Sequence, residues 1–425
     1  MQPDAKDLDP KEHPFNWPVR RKWMATIVIV FMTTNITFCS GIHAATIFGV
    51  TRTFACFTTV ATSGVTTSLV GFASGPMLFA PLSEAVGREI VFRITMFLFF
   101  CFNIGCALSP NLAALLTLRF LSGFFGHRSV PFALFTTSSS LGPVLGPVAG
   151  GFISQQLNWR WLYWVVTIVA AIVYTAMLFF LPETYTTTLL QSKLAKTGRK
   201  SPRRSSKDQY ATSLTRPWLM LFTEPILFVL GLYSAFVWGI LYLDFTAYPL
   251  GIAGLSFLGI GLGMAIATAS SPCINNIHGI WFKRLSGPKP EAPLPHLIII
   301  AWFIPVAPFW FGWTANPPNH WIVCILAGIP FGIGFVMLFL GTNAYLTDCY
   351  GRFSASALAA NAVMRSLFTS AFPQFARQMY IKMRTPWATS TLCFVALIMA
   401  PVSWLFFRFG PGMRAKPKYM NIGDF

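Results

Sequence analysis

The sequence predicts an all-α, polytopic membrane protein with twelve transmembrane helices in two six-helix bundles. Of its 425 residues, 54% are hydrophobic and only 10% are charged, a balance that indicates a membrane protein rather than a soluble one. Twelve apolar runs approach the roughly 20 residues that cross a bilayer, and six lie on either side of a polar stretch at 182–224. Lys and Arg also collect between alternate runs, as they do in cytoplasmic loops.

The predicted spans follow these runs in order. Those of the first half are 23–45, 60–80, 91–109, 112–126, 130–154 and 161–181, and those of the second half are 225–248, 252–272, 297–314, 321–344, 355–376 and 387–407. The predicted domains are a tail at 1–22, a bundle at 23–181, a basic linker at 182–224, a bundle at 225–407 and a tail at 408–425. The linker is rich in Ser, Lys and Arg, which is typical of disorder. Two equivalent bundles are typical of secondary transporters built from repeats.

The basic residues predict the orientation of the chain. With the N-terminus inside, the inner segments carry 23 Lys and Arg residues and the outer loops carry five. Because positive charge accumulates in cytoplasmic loops, we expect the linker and both termini to be cytoplasmic. The formal net charge of +18 then belongs to these loops, and we expect no nucleic-acid partner.

Span five contains the stretch GPVLGPVAGG at 142–151. Gly142, Gly146 and Gly150 are four residues apart, and Pro143 and Pro147 lie on the next stripe of the same helix. Glycines at this spacing let membrane helices approach closely, and each proline bends its helix. The stretch alone agrees equally with a helix that moves against its neighbour and with one that is packed in place.

The inner loop between spans two and three reads PLSEAVGRE. Glu84 and Arg88 are placed to form an ion pair at the membrane face, and Gly87 permits a sharp turn. Asp348 and Arg352 have the same spacing in the loop between spans ten and eleven. Such pairs could latch the cytoplasmic side during transport, or be ordinary interfacial salt bridges worth about 0–1 kcal/mol.

Few polar groups lie at membrane depth, and these are candidates for a substrate or proton pathway. Arg119 lies in the middle of span four, where a charge costs about 2.5 kcal/mol or more. Of thirteen acidic residues, only Asp244 lies clearly within a span, where a carboxylate could carry a proton or hold a cationic substrate. Either residue could instead be structural. The remaining candidates are Asn35, Tyr242, Asn343, Asn361 and Arg365.

Several other chemistries have no motif here. The chain contains no GxxxxGK[ST] for an ATP-driven motor, no HExxH and no GxSxG. Its eight cysteines form no CxxC pair, and its six histidines are scattered. We therefore expect no enzyme activity, no cofactor and no metal site.

These features together resemble the major facilitator superfamily. They are most similar to its twelve-spanner drug:proton antiporter branch, in the fungal multidrug and polyamine exporter form. The resemblance is carried by PLSEAVGR in the 2–3 loop, by Arg119 followed by Gly123, and by GPVLGPVAGGF in span five. Five further phrases share it: NWPVRRKW, NWRWLYW, LPETY, YLDFTAYP and NAYLTDCYG. The similarity covers nearly the whole chain.

The resemblance implies export of small organic molecules across the plasma membrane, with the proton gradient as energy source. It places Gly87 and Arg88 in the loop motif that governs switching between inward- and outward-open states. It assigns Arg119 to proton coupling and residues 142–151 to the antiporter motif. The implied partners are the lipid bilayer, a small-molecule substrate and protons, with a monomer as the default. A lipophilic drug or secondary metabolite is the preferred substrate, and a polyamine is the alternative.

Two connections are shorter than the resemblance implies. After span four, His127, Arg128 and Ser129 lead directly into span five, and residues 249–251 alone join spans seven and eight. These apparent gaps leave a second function open. The chain could be a transport-inactive or sensor-like protein of the same fold.

Overall fold

A computed structural model describes most of the chain. The described residues are 17–126, 133–181, 183, 206–247, 253–271, 273–274, 276, 279, 290–315 and 320–414. The N-terminal half contains α1 Val19–Phe54, α2 Thr58–Val86, α3 Arg88–Leu108, α4 Leu112–Gly126, α5 Ala133–Gln156 and α6 Arg160–Phe180. Helix α7 spans Ser206–Thr223. The C-terminal half contains α8 Pro225–Ala247, α9 Ala253–Ala269, α10 Leu294–Ile300, α11 Phe303–Thr314, α12 Trp321–Tyr350, α13 Ser354–Met399 and α14 Val402–Arg414.

Seven helical segments in the described part are long and apolar enough to cross a membrane. They are α1, α3, α6, α8, α12, the pair α10–α11 and the run from α13 into α14. Helices α4 and α9 are apolar but shorter. Helices α2 and α5 contain many Ser, Thr and Gly residues, and both pack against the C-terminal half, which shields them from lipid. The all-α, multi-pass fold is confirmed, and the count of twelve spans stays a prediction.

The predicted spans eleven and twelve lie in one helical run. Helix α13 is 46 residues long, but Arg384 interrupts it with φ 59° and ψ 160°, outside the helical region. The break falls within the polar segment at 377–386 that the sequence predicts as an outer loop.

The C-terminal part of the predicted linker is helical. Its residues 206–223 form α7, which packs on α2 and α13. The reason is a local apolar cluster: Met220 and Leu221 are buried together with Ile226 and Tyr350. The more basic part of the linker lies outside the described residues, as do the two predicted short connections at 127–129 and 249–251.

The helices pair in the same pattern in both halves. In the N-terminal half α1 packs on α5 and α2 packs on α4, and in the C-terminal half α8 packs on α13 and α9 packs on α12. Counted as spans, the first and fifth pair, and so do the second and fourth, in each half. A duplicated six-helix unit gives this pattern. The domain boundaries stay a prediction, with which the pairing agrees.

The two halves meet through equivalent helices. Helix α2 packs on α13, α5 packs on α9, and α1 contacts α8. Thr66 of α2 donates from Oγ1 to the carbonyl oxygen of Ser370, 2.9 Å away, and accepts from Nε2 of Gln374 at 2.7 Å. The hydroxyls of Ser40 and Tyr242 lie 2.6 Å apart. These bonds lie toward the face where α1 ends and α2 begins, so the halves are joined on that face.

Candidate functional site

A cavity lies between the two halves. It contains about 310 Å³ of empty space including its opening. Its lining comes from α1, α2, α5, α8 and α13, and includes Thr37, Leu69 and Ser139 of the N-terminal half and Trp238, Arg365 and Thr369 of the C-terminal half. Because both halves contribute, any movement of one half against the other changes access to this cavity.

Arg365 is the charged residue of this cavity. It is 6% exposed, and its guanidinium carbon lies 4.5 Å from the ring centroid of Trp238 and 4.7 Å from that of Phe339. Aromatic faces attract a cation in this geometry. Among the described side chains, the one ion pair joins Arg93 to Glu89 at 2.5 Å, so Arg365 has aromatic neighbours in place of a carboxylate.

Three other predicted pathway residues lie beside Arg365. Tyr242 lines the same cavity and bonds to Ser40 across the two halves. Asn361, one helical turn before Arg365, is buried and donates from Nδ2 to Oδ1 of Asn343 at 3.5 Å, which links α13 to α12. The structure therefore brings Tyr242, Asn361 and Arg365 to one region, with Asn343 behind them.

Arg119 lies inside the N-terminal half and is fully buried. Its Nη1 donates to the carbonyl oxygen of Cys39 at 2.8 Å, its Nε to that of Gly64 at 3.2 Å, and its Nη2 to Oγ of Ser68 at 3.0 Å. These contacts tie α4 to α1 and α2 and satisfy the guanidinium locally. A part in proton coupling stays a prediction.

A histidine and a tyrosine extend this polar cluster. His43 bonds to the hydroxyl of Tyr163, and its Nε2 lies 3.1 Å from the carbonyl oxygen of Ala61. The ring of Tyr163 lies 5.8 Å from the guanidinium of Arg119. Sequence reasoning does not find Tyr163, because it lies within an apolar run and gains its partners only when α1, α4 and α6 pack together.

Asp244 and Asn35 face the interiors of their own halves. Tyr380 of α13 donates its hydroxyl to Oδ1 of Asp244 at 3.2 Å. Asp244 also lines a second space, about 440 Å³ with its opening, between α8, α9, α11 and α12. Asn35 donates from Nδ2 to the carbonyl oxygen of Val166 at 3.5 Å. Arg119 and Asp244 thus lie in different halves.

The loop after α2 is described only in part. The side chains of Glu84, Arg88 and Arg352 lie outside the described residues, so the predicted pairs Glu84–Arg88 and Asp348–Arg352 stay predictions. Gly87 separates α2 from α3 with φ 107° and ψ 149°, a conformation that favours glycine.

Glu183 contacts the start of α3, next to the same loop, and the sequence alone does not predict this contact. This residue of the LPETY phrase accepts a hydrogen bond at Oε2 from the backbone N–H of Glu89, 3.0 Å away in the first turn of α3. A carboxylate is stabilising there because the first N–H groups of a helix have no partner within the helix. The phrase LPETY indicates only that a helix has ended. It does not indicate the partner of Glu183, because Glu89 lies 94 residues earlier in the sequence.

The stretch 142–151 has two faces. A Cβ atom on Gly146 would lie 2.5 Å from the backbone nitrogen of Ile42, and one on Gly150 would lie 2.6 Å from Cβ of Ala45. The glycine face, which includes Gly142, therefore lies on α1 of the same half. Pro143 and Pro147 are buried within α5. The contact with the other half comes instead from Val144, 3.5 Å from where a Cβ of Gly261 would lie.

The same pairing of helices occurs in both halves, and the two halves share a cavity. This arrangement is that of a membrane transport protein with two equivalent halves. The profile of the Major Facilitator Superfamily matches residues 23–373. The chain belongs to this superfamily, and the resemblance drawn from its motifs is confirmed.

Fungal transporters are similar over nearly all of the chain. It is 37% identical to a major facilitator superfamily multidrug transporter of Aspergillus fumigatus, over 98% of this chain and 75% of the relative. It is 37% identical to an MFS-type efflux pump of Trichophyton rubrum, over 98% and 77%, and 35% identical to a multidrug transporter of Candida glabrata, over 96% and 78%. The Aspergillus alignment extends over 457 positions, so the relative has residues without counterparts in these 425.

Solved structures share the fold. The xylose transporter XylE from E. coli, in a partially occluded inward-open conformation, matches with a TM-score of 0.64 at 15% identity, over 95% of this chain and 99% of that one. A peptide transporter matches with a TM-score of 0.61 at 14% identity, over 98% and 99%. At such identities the likeness shows the fold alone, and it confirms the major facilitator fold.

Proposed function

We propose that the chain is an efflux transporter that exports small organic compounds by alternating access. The observation that carries this proposal is the cavity between the halves, lined from both sides and bridged on one face by Thr66, Gln374, Ser40 and Tyr242. Relatives named as efflux pumps and multidrug transporters support the direction of transport.

Proton entry drives export in this proposal. Asp244 is the candidate proton carrier, because a carboxylate at membrane depth can exchange a proton and Tyr380 holds it in place. Arg119 modulates this step through the helices that it ties together. Asn35, Tyr242, Asn343, Asn361 and Arg365 form the substrate side of the pathway.

The switch between states involves the loop motifs and α5. Glu84, Gly87 and Arg88 act at the end of α2, and Asp348 and Arg352 act at the equivalent end of α12. The glycine and proline stretch of α5 carries the movement through its contact with α9. The bias of 23 inner to five outer basic residues supports cytoplasmic termini, and plasma membrane and a monomeric state complete the proposal.

Expression in an efflux-deficient fungal host tests transport. We expect greater tolerance to at least one member of a panel of lipophilic toxins, because Leu69, Phe72 and the ring of Trp238 give the cavity apolar walls. In liposomes containing the purified protein, adding that toxin should drive proton flux, and Asp244→Asn should reduce this flux at least tenfold. Unchanged flux in Asp244→Asn would remove this carboxylate from the mechanism.

A transport-inactive or sensor-like member of the same fold is the second candidate. The observation in its favour is the alignment that exceeds the length of the chain, which agrees with the two predicted short connections. Unchanged tolerance to every toxin, with the protein present in the membrane, would support this candidate over export.

A further inference from the structure

We infer that the substrates of the central cavity are small organic anions, and that Arg365, Trp238 and Thr369 bind their acidic group. This inference rests on the proposed function, because it names the substrate class of the same cavity. It replaces the open choice among lipophilic compounds with one chemical requirement.

The first step is a set of polar groups without partners. Nε1 of Trp238 and Oγ1 of Thr369 are buried and make no hydrogen bond, and both residues line the cavity. Arg365, which lines it too, contacts the rings of Trp238 and Phe339 in the described part of the chain. The exposed fractions are 6% for Trp238, 1% for Thr369 and 6% for Arg365. Buried polar groups are nearly always paired, so two unpaired groups beside a guanidinium that contacts aromatic rings are unusual.

The second step is the chemistry of these groups. An indole N–H and a guanidinium can only donate hydrogen bonds, and a threonine hydroxyl can donate one. A site made of donors and one positive charge is complementary to an oxygen acceptor that carries negative charge. Guanidinium groups bind carboxylates and related oxyanions through two parallel bonds, more strongly than they bind neutral acceptors. An ammonium group of a polyamine would instead meet a like charge.

The third step is the position of the acidic side chains. Among the described residues, Asp244 is bonded to Tyr380 and lines the other space, and Glu89 pairs with Arg93. Glu224 accepts from the hydroxyl of Tyr350 at 3.4 Å, near α7. Asp244, Glu89 and Glu224 are therefore bonded to residues other than Arg365. Arg365 therefore has no ion pair among the described side chains, and the acidic group of a substrate would supply one.

The fourth step concerns the remainder of the substrate. Leu69, Phe72 and the ring of Trp238 form apolar walls of the cavity. An apolar body bearing one acidic group fits such a lining, since ligand sites combine apolar walls with a few placed polar groups. In this structure the cavity has room for only about one water molecule, so binding of any substrate requires the halves to separate.

Three matched probes test the inference: 2-naphthoate, 2-naphthamide and 2-naphthylmethylammonium. They share one ring system and differ in charge. We expect the purified full-length protein to bind naphthoate at least tenfold more tightly than naphthamide, and the ammonium most weakly. Naphthoate should also raise the melting temperature of the wild-type protein more than naphthamide does, a measurement that needs no variant.

Substitutions at Arg365 assign the preference to this residue. Arg365→Gln should reduce the affinity ratio of naphthoate to naphthamide to below about threefold, and Arg365→Lys should retain part of it. The matched control is Arg377→Gln, which removes the same charge from an exposed position of the same helix. This control should keep the wild-type ratio.

The possible outcomes separate this inference from the proposed function. Equal affinity for the probes, preference for the ammonium, or binding of none of them would overturn the inference. If the chain raises tolerance to neutral or cationic toxins and shows no preference for naphthoate, export stands and the acidic-substrate inference is wrong. If naphthoate is preferred but liposomes that contain the protein do not transport it, and no toxin tolerance changes, the site stands and export is wrong.

Discussion

Arg119 shows how a fully buried charge is accommodated at membrane depth. Its four hydrogen bonds reach acceptors on two neighbouring helices, the carbonyl oxygen and Sγ of Cys39 on α1 and Gly64 and Ser68 on α2. A guanidinium can make these contacts because its donors point in fixed, divergent directions, whereas an ammonium is a compact point charge. The residue therefore holds three helices of the N-terminal half together.

We predict that Arg119→Lys lowers the stability of the protein by about 1–3 kcal/mol. The ammonium keeps the charge but leaves at least one of these acceptors without its donor. Thermal unfolding of purified protein in detergent measures the effect. Arg93→Lys is the control, because Arg93 is 40% exposed and bonds to one carboxylate. Equal unfolding temperatures for Arg119→Lys and wild type would contradict a structural role for Arg119.

At the scale of single residues, the sequence predicts which groups are unusual but not their partners. Arg119, Asp244 and Arg365 stand out because charges are rare inside apolar runs. Whether each is satisfied depends on helices far away in sequence, such as Tyr380 for Asp244, 136 residues away. The unpaired groups of Trp238 and Thr369 have no local sign at all.

Helix α5 shows the same limit at the scale of an element. The four-residue glycine spacing predicts close packing, and the structure shows such packing against α1. The spacing does not specify the partner, because any smooth helix satisfies it. Only the assembled bundle shows that the glycine face contacts α1 of the same half and that Val144 contacts α9 of the other half.

We predict that two identical Gly→Ala substitutions have opposite effects. In Gly146→Ala the new Cβ would lie 2.5 Å from the backbone nitrogen of Ile42, so α1 and α5 must separate, at a cost of about 1–3 kcal/mol. In Gly261→Ala the new Cβ lies 3.5 Å from Val144, an ordinary contact. Alanine there should be neutral or stabilising by up to about 1 kcal/mol, because it favours the helix. Unfolding temperatures of both variants measure the difference, and a more stable Gly146→Ala would refute the close α1–α5 contact.

The whole molecule repeats one arrangement of helices twice. The pairs α1–α5 and α2–α4 recur as α8–α13 and α9–α12, and the contacts between halves, α2–α13 and α5–α9, are also equivalent. Apolar run lengths predict the spans because the bilayer imposes them. The hydrogen bonds between the halves join common residues such as Thr66 and Gln374, and no sequence pattern predicts these bonds.

Alternating access requires that the halves separate on the face where Thr66 meets Gln374, so a covalent link there should stop transport. We predict that Thr66→Cys with Gln374→Cys, joined through two disulfide bonds by a short bifunctional methanethiosulfonate reagent, abolishes transport, and that reduction of these disulfides restores it. The background should replace the more accessible native cysteines Cys56, Cys101 and Cys273, and also Cys324 except in the control. The matched control is Thr314→Cys, which can be linked to native Cys324, because Sγ of Cys324 lies 3.5 Å from the Thr314 carbonyl oxygen. This link joins α11 to α12 within one half and should leave transport intact. Full transport by the Thr66–Gln374 cross-linked protein would show that the halves need not part on this face.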